Sequence, residues 1–135
     1  MDEESNDMKQ YYISEIQTRD GLMHHGIFFH PKKPGKRAIV WIHGLTSNFY
    51  SSMKRIEEIV SLCDGLGIGF ASFNTRGHDM MASAHRVDPT SDSGYRYTTV
   101  GSSVEHFDES IYDIEASVSF LVSKEIGRAS CRERV

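Results

Sequence analysis

The sequence predicts an α/β fold built from an antiparallel hairpin, a parallel strand–helix–strand unit and a second helix. Three observations carry that reading. Alternating β-forming residues flank an Asp20-Gly21 turn near the N-terminus. Further on, residues 38–42 (AIVWI) are continuously apolar, the pattern of a strand covered on both faces, and residues 68–74 (IGFASFN) read as a second buried strand. Between them lies a stretch with helical spacing, so the default connection is a right-handed parallel crossover.

The elements follow in order. Residues 11–18 (YYISEIQT) are rich in β-formers. After Asp20-Gly21, residues 23–30 put Met23, His25, Ile27 and Phe29 on one face and His24, Gly26, Phe28 and His30 on the other. Residues 31–36 (PKKPGK) form a polar turn. Residues 37–43 (RAIVWIH) read as a buried strand that Gly44 ends. Phe49, Met53, Ile56, Val60 and Cys63 then recur at spacings of 4, 3, 4 and 3, which predicts a helix over 49–66. Ser47 or Asn48 is its expected cap, and Gly65 and Gly67 its stop. Cys63 falls on the apolar stripe, as a packing residue does.

Residues 68–74 (IGFASFN) read as the next buried strand. Residues 75–107 read as a long polar loop. A second helix starts with Asp108 as cap and a Phe107–Tyr112 staple. Its apolar stripe is expected to be Ile111, Ile114, Val118 and Leu121, with Asp113 and Glu115 on the solvated face.

Composition narrows the function classes. The chain has 135 residues, a single-domain length, with 39% apolar and 25% charged residues, which argues against wholesale disorder. Its net charge of −4 makes it a poor ligand for a phosphate backbone, so no nucleic-acid partner is expected. No apolar run approaches the roughly 20 residues of a membrane span, and the acidic start (MDEESNDMKQ) is unlike a secretory leader. Two cysteines, Cys63 and Cys131, make no disulfide framework. These features read as a cytoplasmic protein without membrane partners. His24 and His25 are neighbours on a strand and so point to opposite faces, unlike a helical metal pair, and no metal site is expected.

The ends read differently from the middle. Residues 1–9 are expected to be a disordered leader. The last ten residues (IGRASCRERV) have no apolar period, and they match the translation of a common short-read sequencing adapter. Residues 125–135 are therefore read as a non-native tail, and residues 10–124 as part of a domain.

Two motifs carry a family resemblance: WIHGLTSN (residues 41–48) at the end of one buried strand and FNTRGHD (residues 73–79) at the end of the next. With the opening hairpin and the helix approached through GSSVEHFDESIYDIEASVSFL (residues 101–121), the chain resembles the N-terminal part of an α/β-hydrolase over residues 10–124. The resemblance implies a serine-type hydrolase of carboxylic esters or related acyl substrates, needing no cofactor and binding a small-molecule acyl substrate. In that family the nucleophile, acid and base all follow the second helix seen here. No G-x-S-x-G elbow occurs in this sequence, so no catalytic residue is assigned, and the fragment is expected to be inactive.

What the resemblance does imply here is one oxyanion-hole donor, the backbone N–H of Leu45, beside Gly44, whose bare backbone lets the substrate oxygen approach. With Gly44, the resemblance names Thr46, Arg76, Gly77 and His78 as binding residues of the same place, while from the residues alone Arg76 reads as a loop anchor and His78 as a residue organising the turn after its strand. His43 reads as a structural strand-end residue rather than a base. The family strand order, 1-2-4-3-5-6-7-8, makes the 37–43 strand an edge when the fifth strand is absent, with a marginal or aggregating product. Two other readings stand beside this one: a non-catalytic binding or scaffold protein on the same fold, and a flavodoxin-like domain. The latter lacks its Gly-rich phosphate loop after the first strand.

Overall fold

A computed structural model describes residues 9–124. The leader before Lys9 and the tail from residue 125, with Cys131, lie outside the described residues. Lys9 itself is ion-paired with Asp64 at 3.0 Å.

A four-stranded mixed sheet forms the centre. β1 (Tyr12–Gln17) and β2 (Met23–Phe29) make the expected antiparallel hairpin, with Tyr12 opposite Phe28 and Gln17 opposite Met23. The turn is closed by bonds from the Gly21 N–H to the Thr18 carbonyl and from the Leu22 N–H to Thr18 Oγ1. β4 (Gly69–Phe73) pairs antiparallel with β2 and parallel with β3 (Ala38–Trp41), giving the order β1-β2-β4-β3.

Period-two alternation divides the core between two faces. Ile27, Phe29 and Phe70 pack on one face against Ile56, Val60 and Cys63 of α1 (Met53–Leu66). Ile16, Phe28, Ala71 and Phe73 pack on the other against Ala116 and Leu121 of α2 (Ser110–Ser123). Phe120 stands edge-on to Phe28 and Phe73, with ring centroids 5.3 and 5.1 Å away. Central β4 is buried throughout its length. Gly26 lies so close to Phe73 and the Ser72 carbonyl that a Cβ there would overlap both, which is why β2 has no side chain at that register. Among the described residues, no helix is long and apolar enough to cross a membrane.

Four expectations are corrected. The 37–43 strand shortens to β3, which is half-buried rather than covered on both faces. It does lie at the open edge of the sheet, as the family strand order implies, and there Ile39 and the following Ile42 reach solvent. The first helix begins at Met53 with Ser52 as cap. Ser47 and Asn48 are used instead in the turn before it, where Asn48 Oδ1 accepts the Tyr50 N–H.

The long polar loop holds a second sheet, β5 (Ala82–Val87) paired antiparallel with β6 (Tyr95–Val100). Its short side chains and paired aromatics alternate at period two, and its turn closes with the Asp88 N–H on the Gly94 carbonyl.

α2 is rotated from the expected face. A single 3-10 turn (Phe107–Glu109) precedes it, Asp108 does not cap it, and Phe107 is 78% exposed instead of stapled. Ile111, Ile114 and Val118 face solvent, while Asp113, Ala116, Ser117 and Leu121 face the sheet. Small Ala116 and Ser117 allow close approach, and Asp113 meets Arg76 and His24 beneath the helix.

Candidate functional site

The two motif loops meet at the C-terminal ends of parallel strands β3 and β4, where ligands sit in open α/β sheets. His43 joins them. Its Nε2 accepts the Thr75 N–H at 3.0 Å, and an amide nitrogen can only donate. The ring proton is therefore on Nδ1, which donates to the Gly44 carbonyl at 2.8 Å. Both nitrogens are used and burial lowers the pKa, so His43 is a neutral strut between strand ends, not a free base.

Beyond it the loops are stitched backbone to backbone. The Thr46 N–H donates to the Gly77 carbonyl at 3.2 Å, and the Asp79 N–H to the Ser47 carbonyl at 2.9 Å. Asn74 Oδ1 accepts the Phe49 N–H at 3.0 Å. Thr46 has φ +64°, a left-handed conformation unusual for a β-branched residue and worth about 1–3 kcal/mol of strain. These bonds hold it there.

The result is a projecting corner. Leu45 is 65% exposed, and its N–H meets no hydrogen-bond acceptor among the described residues. A Cβ on Gly44 would meet open space, so nothing within the described fold demands glycine there. His78 is mostly covered and pairs through Nδ1 with Asp79 Oδ2 at 2.7 Å, which lowers the Asp79 pKa. Glu105 lies across Gly77. Thus Gly44, Leu45, Thr46, Gly77 and His78 are neighbours at one strand end. The corner itself opens to solvent. Shallow, open grooves lie between β1 and α2 (Thr18, Glu115, Ser119) and beside the β5–β6 hairpin (Leu22, Arg86, Glu105).

Arg76 is the exception to that grouping, because its side chain runs inward. Its guanidinium is buried between Asp113, through Nε at 3.1 Å and Nη2 at 3.1 Å, and Asp20, through Nη1 at 2.9 Å and Nη2 at 3.0 Å. Asp113 also meets His24 Nε2 at 2.7 Å. Burial works against the charge on Arg76, but the bonds to Asp20 and Asp113 outweigh it and raise its pKa. Burial likewise opposes ionisation of Asp113, and its bonds to His24 and Arg76 prevail and lower its pKa. The Arg76 hydrogen bond holds Asp20 well below the usual carboxylate range.

Asp113 and Asp20 are not legible as partners in the sequence, where local pattern puts one on a solvated helix face and the other in a turn. The available signal was a second stripe, Asp113, Ala116, Ser117, Phe120 and Leu121, at helical spacing.

No protein-family model matches the chain, and no curated protein matches it. Among solved structures, it resembles the Pyrococcus furiosus esterase Pf2001 in three crystal forms, at 17% identity, with TM-scores of 0.56, 0.57 and 0.54. The match covers 91% of this chain and 37–39% of the esterase. The likeness shows a shared fold, and the chain spans a little over a third of the esterase's length.

Proposed function

We propose that residues 10–124 are the N-terminal portion of a serine-type α/β-hydrolase acting on carboxylic esters or related acyl substrates. The observation that carries this is the corner after β3. Its Leu45 N–H is unengaged, it projects at the C-terminal end of a parallel strand, and it is fixed by bonds to the turn after β4. A backbone donor held in advance of reaction suits an oxyanion, because its dipole need not reorganise as charge develops. The shared fold with an esterase supports the same reading.

In this reading Leu45 gives one of two oxyanion donors. Gly44 leaves room for the substrate oxygen, Thr46 and Gly77 fix the loop, and His78 borders the site. The nucleophile, the acid, the base and the second donor come from chain beyond residue 124, which also supplies the wall that encloses the corner. The 135-residue chain alone is then inactive.

The test is to recover the uninterrupted reading frame past Lys124 and assay both proteins on a chromogenic short-chain ester. Turnover by the longer protein and none by the 135-residue chain is expected. Turnover by the short chain that disappears on mutating one of its own serines contradicts the assignment. A longer frame with no nucleophile elbow and no turnover favours a binding protein on this fold.

A further inference from the structure

We infer that Asp113 is a positioning residue for the Leu45 corner, acting through the main chain of Arg76. The inference rests on the reading of that corner given above. Asp113 Oδ2 accepts the backbone N–H of Arg76 at 3.0 Å as well as Nε at 3.1 Å. A carboxylate needed only to neutralise a guanidinium has no use for the first bond. With both, it fixes the backbone and the side chain of one residue together, and the guanidinium's outer edge is anchored on Asp20 in the β1–β2 turn.

The consequence runs along directly bonded neighbours. The Arg76 carbonyl accepts the Gly101 N–H at 2.7 Å, so the segment after β6 is tied to the same residue. The next carbonyl, that of Gly77, holds the Thr46 N–H, and Thr46 follows the proposed donor in the chain. Because Thr46 is held at φ +64° against its preference, loss of the Gly77 carbonyl from its place lets the corner relax toward an ordinary conformation. The buried carboxylate of α2 thus sets where the Leu45 N–H points, without touching substrate.

Hydrogen exchange on the 135-residue chain, read by mass spectrometry at low micromolar concentration, tests this without any assay of turnover. Peptides covering residues 44–49 and 98–102 report the corner and the Gly101 bond, and peptides covering 69–73 report the core. In Asp113→Asn, exchange at the corner should accelerate by at least about tenfold relative to the core. Equal acceleration of corner and core would mark Asp113 as a general stabiliser and overturn the inference, as would an unchanged corner.

If Asp113→Asn fails to fold, the wild-type chain decides. In a denaturant series the amides of Thr46, Arg76 and Gly101 should open as one unit with a common slope. Opening of Thr46 independently of Arg76 rejects the link. Failure of the hydrolase reading would show as absent turnover in the longer protein and would leave these exchange patterns unaltered.

Discussion

Asp113 shows how one buried carboxylate can decide a region. Its side chain is 1% exposed and is surrounded by Arg76 and His24. Removing it leaves the buried Arg76 guanidinium held by Asp20 alone and takes the acceptor from the Arg76 N–H and Nε and the partner from His24 Nε2, so Asp113→Ala should cost about 3–5 kcal/mol, measured as a shift in urea unfolding. A loss under about 1 kcal/mol, the level of an exposed ion pair, would contradict the burial described here.

His43 carries a second residue-scale prediction. Its folded pKa is lowered below the ordinary value of 6.5 by burial. The unfolded chain therefore takes up the proton first as pH falls. The stability this histidine contributes is complete above about 6.5 and is lost progressively below it. Asp20 and Asp113, both lowered below 3.8, add a further loss only in stronger acid. Between pH 7 and 5 the wild-type urea midpoint should fall more steeply than that of His43→Gln, whose carbonyl can still accept the Thr75 N–H. Parallel slopes would rule out a titrating strut.

At the scale of elements, the tight approach of β2 and β4 predicts that Gly26→Ala forces the strands apart, at a cost of about 1–3 kcal/mol in the same unfolding measurement. A neutral substitution would mean the strands pack less closely.

The elements most legible in the sequence were those with one strong pattern. The hairpin reads from Asp20-Gly21 and alternating faces, α1 from its 4-3-4-3 stripe, and β4 from the short, mostly apolar segment that follows that helix. The β5–β6 hairpin escaped because His85, Arg86, Tyr95 and Arg96 make its strands look like polar loop. α2 was turned to the wrong face because Ile111, Ile114 and Val118 outrank Asp113, Ala116 and Ser117 on any hydrophobicity scale. The buried partners Arg76 and His24 reverse that ranking, and they lie far from α2 in sequence. The same holds for the site. The motif residues of the corner could be named from local sequence, whereas the ion network beneath them depends on contacts that no local spacing records.

At the scale of the molecule, the sheet is covered on both faces yet open along β3, and Phe107 of the 3-10 turn with the exposed stripe of α2, Ile111, Ile114 and Val118, adds apolar surface. Unpaired strand groups beside apolar surface favour association. The 135-residue chain should therefore show light scattering that rises with concentration, and Ile39→Lys, a charge on the open edge, should reduce it. A chain that stays monomeric and melts cooperatively at all concentrations would count against the open edge.

The hydrolase reading converges on a single N–H. In the protein expressed from the uninterrupted frame, Leu45→Pro deletes that donor, whereas Leu45→Ala keeps it. Steady-state ester hydrolysis by the two variants, with folding checked by circular dichroism, is the most direct measurement. The proline variant should have a kcat lower by about 10²–10³, and the alanine variant a kcat near wild type. Equal kcat in a folded proline variant would remove Leu45 from the chemistry.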